Sequence, residues 1–353
     1  MSYTQVQVQP GKTLRGTTSV PGDKSLSHRA LMLSGLADGP SQIRGFLPAG
    51  DTLATLHVME QLGVPLDRVD DHTLTIHGRG LHGLQASAAP LNCVNAGTAI
   101  RLLVGLMAGQ SFASILDGSD QLRRRPMGRI TQPLRLMGAQ IEDTAGRAPL
   151  KISPAPLHGI AYKMPVASAQ VKSGILLAGL YADSPTTVIE PGPARDHTER
   201  MLRARGVEVH TEDSRVTVVP PSRILPLDMT IPCDMSSAAF LLVAGCCCAA
   251  NEIQITGVNT NPTRTGILDI LAAMGGTIQI VNPRDEGGEP VADLIVHRAD
   301  LHGATIGGAV IVRAIDEFPV LMVAATQAHG ATLVCDAAEL RVKETDRIAV
   351  MAG

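Results

Sequence analysis

Residues 134–143 read LRLMGAQIED. An apolar, helix-like stretch breaks at Gly138 and passes directly into a short strand-like run. The same phrase returns as MEQLGVPLDRV at 59–69, MLRARGVEVHTE at 201–212 and ILAAMGGTIQIV at 270–281. Its glycines, Gly63, Gly138, Gly206 and Gly275, stand 75, 68 and 69 residues apart. Glycine just past an amphipathic helix tolerates the left-handed backbone that closes the last turn, so each phrase predicts a surface helix, its cap and a strand.

A second, more apolar helix pattern interleaves with the first. It occurs as DKSLSHRALMLSGLADG (23–39), NAGTAIRLLVGLMAG (95–109), SAQVKSGILLAGLYA (168–182), DMSSAAFLLVAGCCCA (234–249) and EFPVLMVAATQAHG (317–330). Apolar residues nearly all round predict helices buried on every side. Each unit then reads strand, buried helix, strand, amphipathic helix, strands: an α/β repeat larger than the usual solenoid periods.

The starts of the buried helices are polar: Lys24, Ser25 and Ser27; Asn95 and Thr98; Ser168, Gln170 and Lys172; Asp234, Ser236 and Ser237. Capping explains one Ser, Thr, Asn or Asp at a helix start, but not Lys, Arg or Gln beside it. Several helix N-termini aimed at one cleft would form an anion site, and these side chains would complete it. The plainer reading of any one copy is a capped helix with solvated Lys and Arg.

Composition narrows the function. With 353 residues, 44% of them hydrophobic, the chain can bury sizeable cores in two or three domains. Lys and Arg number 30 against 33 Asp and Glu, so no overall basic field draws it to nucleic acid or to an anionic membrane. Only 2% of residues are aromatic, too few for a base-stacking platform. The longest apolar run, 238–250, is too short to span a bilayer, and the N-terminus carries no leader pattern, so a cytoplasmic protein is expected. Six cysteines show no metal-ligand spacing and read as buried, reduced thiols.

The motifs PGDKSLSHRAL (21–31), NAGTAIRLL (95–103), RRRPMGRI (123–130), SAQVKSGILLAGL (168–180), RDHTERML (195–202), DMSSAAF (234–240) and RVKETDRI (341–348), in this order, resemble the EPSP synthase (3-phosphoshikimate 1-carboxyvinyltransferase) family. The resemblance runs from Val20 to the end of the chain. It implies an inside-out α/β barrel of two hinged domains, each with three βαβαββ units. Residues 21–230 would form the first domain, and residues 1–20 plus 231–353 the second. It also implies transfer of the enolpyruvyl group of phosphoenolpyruvate to the 5-hydroxyl of shikimate 3-phosphate by addition and elimination, with no cofactor or metal, in a monomer.

Residue by residue, the resemblance gives Lys24 contact with both substrates and a part in catalysis. Ser25, Arg29, Ser168, Gln170, Arg195 and Lys343 would bind shikimate 3-phosphate. Gly97, Arg125, Gln170 and Arg347 would bind phosphoenolpyruvate, Gly97 by letting backbone approach closely and Arg125 by forking onto carboxylate or phosphate oxygens. Asp316 is the candidate general base near the 5-hydroxyl and part of the shikimate 3-phosphate site. Glu344 would manage the proton at the vinyl carbon. Arg123 and Arg124 read as a solvated basic turn, and His28 and His197 need no catalytic role.

Departures from the family's pattern are Leu102, Ala169 and Ala194, none of which removes a charged catalytic group. The closing RIAVMAG stops inside an expected amphipathic helix, which reads as a truncation before the last unit of the second domain. A non-catalytic homologue that keeps shikimate 3-phosphate binding is therefore the competing expectation. The sister transferase acting on UDP-N-acetylglucosamine is disfavoured, because RRRPMG contains no cysteine. Gly97, in place of alanine, implies an open phosphoenolpyruvate pocket and sensitivity to glyphosate.

Overall fold

The structure is a computed structural model that describes residues 7, 11, 13–343 and 345–352. Its helices are α1 (Lys24–Gly35), α2 (Gly50–Gln61), α3 (Gly97–Ala108), α4 (Asp120–Arg123), α5 (Gly128–Leu136), α6 (Ala169–Gly179), α7 (His197–Ala204), α8 (Met235–Cys248), α9 (Gly266–Ala273), α10 (Ala309–Arg313), α11 (Phe318–Thr326) and α12 (Arg347–Ala352). Helices α2, α5, α7 and α9 are those the glycine-terminated phrases predict. Each is closed by its predicted glycine, with φ of +81° at Gly63, +100° at Gly138, +79° at Gly206 and +93° at Gly275. A side chain at these positions would strain the backbone whatever room it found.

Among the described residues, the repeat recurs as four four-stranded sheets of one topology. In the second, Leu91–Asn92 runs parallel to Ser114–Asp117, which is antiparallel to Leu150–Ser153, itself antiparallel to Gln140–Glu142. The third, built on Ala161–Lys163, Thr186–Ile189, Arg215–Val218 and Val209–Glu212, repeats this order. A further pair, Thr305–Ile306 with Leu333–Val334, is parallel.

Two strands come from distant parts of the chain. Leu14–Thr18 lies parallel to Ala249–Ile255, whereas Met229–Thr230 lies parallel to Ile43–Arg44. The chain crosses between them at two antiparallel segments: Asp23 N–H donates to Pro232 O (2.8 Å), and Asp234 N–H donates to Pro21 O (2.9 Å). Gly22 fits there because a Cβ would meet the Gly45 carbonyl oxygen at 2.0 Å. Two hydrophobic cores result, one from Leu26 to Ile231 and one from Met235 to Leu340. The fold is a two-domain α/β architecture.

Helices α1, α3 and α6 are buried over most of their length, as their composition predicts. Each large aliphatic side chain taken out of water there contributes about 1.5–3 kcal/mol. Helices α3 and α6 touch through glycine: a Cβ on Gly105 would lie 2.0 Å from the Gly174 carbonyl oxygen. Helices α8 and α11 correct the expectation of burial on every side. They pack on each other, but Phe240 is 63% and Val323 49% exposed. The cysteine reading is likewise corrected. Cys93 and Cys246 are buried, yet Cys248 and Cys335 are exposed because they fall where a helix ends and in a loop. Among the described residues, no helix is long and apolar enough to cross a membrane.

Candidate active site

Charged side chains gather at the helix starts in two clusters. The first joins α3, α6 and the turn between α4 and α5. Gly97 opens α3, and the Arg125 guanidinium lies so close that a Cβ on Gly97 would sit 2.2 Å from its Nη1. Arg101, one turn on, donates from Nη1 to the Gly97 carbonyl (3.1 Å) and to Gln170 Oε1 (3.0 Å), and from Nη2 to the Pro126 carbonyl (3.1 Å). Gln170 Nε2 donates to Thr98 Oγ1 at 2.9 Å, so the starts of α3 and α6 lie side by side. Ser168 caps α6 by accepting from Val171 N–H. Two helix N-termini and two arginines converge here, an arrangement suited to carboxylate or phosphate oxygens.

The basic turn divides, and Arg123, expected to be solvated, is exposed but paired. Arg123 forks onto Asp117 through Nε (2.9 Å) and Nη2 (2.6 Å), and these bonds lower the Asp117 pKa. Arg124 is exposed, while Arg125 turns inward against Gly97.

Helix α1 presents a different picture. Asp23 caps it through Leu26 N–H (2.9 Å), leaving Lys24 exposed in an ion pair with Asp51 (3.3 Å) and Ser25 half-buried. Arg29 is buried. It donates to Thr198 Oγ1 (2.7 Å), Ser173 Oγ (2.8 Å) and the Ser25 carbonyl (2.9 Å), tying α1 to α6 and α7. Burial lowers its pKa only to about 10, so it stays charged. His28 faces Thr55 at 2.7 Å, and burial, with Lys24 and Arg29 nearby, lowers its pKa to about 3. His197 is equally removed from solvent, against Glu289 at 2.8 Å.

Lys172, grouped with the anion-binding helix starts by its sequence position, belongs elsewhere. Its side chain is 1% exposed and its ammonium lies 2.6 Å from Glu199 and 2.9 Å from Glu190, so its charge is already matched inside the protein.

The second cluster spans the two cores. Arg195, just before α7, donates to Asp316 Oδ2 at 2.5 Å, and Arg347, at the start of α12, donates to Asp316 Oδ1 at 3.1 Å. Burial would raise the Asp316 pKa. Arg195, Lys343 and Arg264 outweigh it and hold the carboxyl well below the usual carboxylate range. A carboxylate so clamped is ionised at neutral pH but a weak base in this arrangement. Glu344 lies outside the described residues.

Sequence reading missed Arg101, Glu317 and Arg264. Arg101 carried a signal, standing four residues beyond Gly97 on one helix face. Arg264 and Glu317 carried none, because their partners are distant in the chain.

The family model of EPSP synthase (3-phosphoshikimate 1-carboxyvinyltransferase) matches residues 8–353. A 3-phosphoshikimate 1-carboxyvinyltransferase of Citrifermentans bemidjiense is 53% identical over 347 residues, covering 98% of this chain and 81% of that protein. The solved structure of EPSP synthase from Acinetobacter baumannii superposes with a TM-score of 0.89 at 46% identity, covering 97% of this chain and 78% of the other. The enolpyruvyl transferase NikO from Streptomyces tendae shares the fold at a TM-score of 0.72 and 16% identity, over 92% of this chain and 75% of that one. The chain thus spans about four-fifths of the length of its curated relatives. Identity at this level over nearly all of the chain speaks against the non-catalytic alternative.

Proposed function

The chain belongs to the EPSP synthase (3-phosphoshikimate 1-carboxyvinyltransferase) family, and from that premise we propose how its two charged clusters divide the work. The reaction itself is the family's: transfer of the enolpyruvyl group of phosphoenolpyruvate to the 5-hydroxyl of shikimate 3-phosphate, releasing phosphate, a step of aromatic amino acid biosynthesis. In the addition half, the hydroxyl oxygen bonds to C2 of phosphoenolpyruvate as a proton reaches C3. In the elimination half, the C2–O bond to phosphate breaks and C3 returns a proton.

On this reading the Gly97, Arg125 and Gln170 cluster receives phosphoenolpyruvate, with Lys24 and Arg347 closing on it. Ser25, Arg29, Ser168, Gln170, Arg195 and Lys343 hold shikimate 3-phosphate, Arg29 chiefly by fixing the start of α1. Glu344 serves the proton at C3. Asp316 is the base for the 5-hydroxyl. The observation that supports this most is the Arg195–Asp316–Arg347 bridge, one carboxylate shared by cations from both cores. Substrate anions compete for those arginines, and a carboxylate released from them rises in pKa toward a useful base.

The residue pattern also supports a division into lobes 21–230 and 1–20 plus 231–353, since the N-terminal strand pairs beside Ala249–Ile255. A monomer suffices, because Arg195 and Asp316 meet within one chain. Six unpaired thiols fit a reducing cytoplasm.

Phosphate release from the two substrates tests the assignment. Asp316→Asn should lower kcat by about 10²–10⁴-fold while the fold is kept. Turnover of that variant close to wild type would reject Asp316 as the base.

A further inference from the structure

Arg264 stands at the start of α9, outside every motif of the substrate clusters, and is 1% exposed. Its Nη1 lies 3.3 Å from Asp23 Oδ2, and its Nη2 lies 2.8 Å from Asp234 Oδ1 and 2.9 Å from Ser236 Oγ. These partners hold particular places. Asp23 caps α1, and Asp234 caps α8 through Ser236 N–H (2.8 Å) while accepting from Lys24 N–H at 3.4 Å. The Ser236 hydroxyl donates in turn to Glu317 Oε1 at 2.5 Å, and Glu317 adjoins Asp316. One guanidinium therefore reaches the helix start that bears Lys24, both chain crossovers, and the segment that bears Asp316.

A buried arginine between carboxylates is a poor device for stability, because desolvation of the charges offsets their attraction. Its strength is direction. The guanidinium is planar and rigid, so the Asp234 carboxylate hydrogen-bonded to one nitrogen and the Asp23 carboxylate ion-paired to the other are kept at a nearly constant separation. Burial alone would lower the Arg264 pKa, but Asp23, Asp234, Glu317 and Asp316 raise it, and the fork stays charged.

We propose that Arg264 is a positioning residue for enolpyruvyl transfer, which sets Lys24 on one core against Asp316 on the other by bridging the N-caps of α1 and α8. The inference rests on the roles given above to Lys24 and Asp316. Arg264 itself touches neither substrate.

The test compares wild type with Arg264→Gln and Arg264→Lys by thermal midpoint, by the Kd of shikimate 3-phosphate alone, and by steady-state phosphate release. Positioning predicts Kd within about threefold of wild type, because most of the proposed ligands lie on the first core. It predicts kcat lowered about tenfold or more, with lysine restoring only part, since one ammonium cannot span both carboxylates. Unchanged kcat in a destabilised Arg264→Gln would overturn the proposal and leave a purely structural arginine. So would a loss of affinity for shikimate 3-phosphate in equal proportion to the loss of kcat.

If neither variant folds, Asp234→Asn removes one charge and keeps a capping side chain, and it should give the same split. Hydrogen exchange of wild type supplies an arm that needs no turnover. The Leu26 and Ser236 amides should keep their protection when both substrates are added, and a change of about tenfold or more would show that the bridge is not a fixed point. Absence of phosphate release by wild type would instead reject the functional reading, with the exchange result still deciding the bridge.

Discussion

Gly105→Ala would insert a methyl group 2.0 Å from the Gly174 carbonyl oxygen, 2.7 Å from its carbon and 2.9 Å from its Cα. Carbon and carbonyl oxygen in contact stay about 3.3 Å apart or more, so α3 and α6 must separate by about 1 Å. No rotamer change can relieve this, because the obstructing atoms are backbone. Nor is there slack on the reciprocal side, where a Cβ on Gly174 would lie 2.6 Å from the Arg101 carbonyl oxygen. The cost belongs at the upper end of overpacking, about 3 kcal/mol, which corresponds to a fall in Tm of about 6–12 °C. The site should suffer as well. The Arg101–Gln170 and Gln170–Thr98 bonds, at 3.0 and 2.9 Å, cross the same seam, and a shift of about 1 Å would raise the KM for phosphoenolpyruvate by about tenfold or more. Thermal unfolding followed by circular dichroism, and phosphate release against phosphoenolpyruvate concentration, measure both effects. Gly128→Ala is the control, since its Cβ would meet nothing nearer than Gln132 Nε2 at 3.9 Å. A Gly105→Ala protein with wild-type Tm and KM would refute the close-packed seam.

Other perturbations probe single contacts. Lys172→Met leaves Glu190 and Glu199 buried without their cation and should destabilise the chain by about 3–5 kcal/mol in urea unfolding; a loss under about 1 kcal/mol would mean the pair is solvated. Gly97→Ala should leave Tm unchanged, because the obstructing Arg125 Nη1 ends a flexible side chain, yet raise the KM for phosphoenolpyruvate and weaken inhibition by glyphosate, and an unchanged KM would count against Gly97 as part of that pocket. For His28, whose folded pKa of about 3 lies below its ordinary 6.5, the unfolded chain takes up the proton first. Stability is therefore complete above pH 6.5 and is lost as pH falls toward 3, by about 2 kcal/mol at pH 5. His28→Asn should shrink the difference in unfolding free energy between pH 7 and pH 5 by that amount, and an undiminished difference would place the acid sensitivity elsewhere.

The repeat was legible because its signals are local. A glycine two residues beyond an amphipathic helix and an apolar face along the same turn need no knowledge of distant neighbours, so Gly63, Gly138, Gly206 and Gly275 declare four helix ends directly. The pairing of strands was less so: nothing near Leu14 announces that its partners are Ala249–Ile255. Burial on every side failed for α8 and α11 for a related reason. Composition reports what a helix could bury, whereas the elements around it decide what it does bury, and Phe240 stays exposed on an apolar helix.

Charge was the hardest property to read, and the reason bears on the chemistry. Lys24, Arg29, Lys172 and Arg195 look equivalent in sequence, each a cation near the start of a helix. In the folded chain they hold different ranks. Arg29 and Lys172 are engaged wholly by internal partners, Lys24 is paired at the surface with Asp51, and Arg195 is engaged by a carboxylate of the opposite core. A substrate anion gains little from a cation it cannot reach, and must displace Asp316 from one it can. On the proposed assignment, that displacement would lower the net binding of the ground state and free Asp316 as a base when the reacting hydroxyl arrives. Interaction energy exchanged in this way favours the transition state over simple binding, which gives the Arg195–Asp316–Arg347 bridge a use that pairing for stability alone would not.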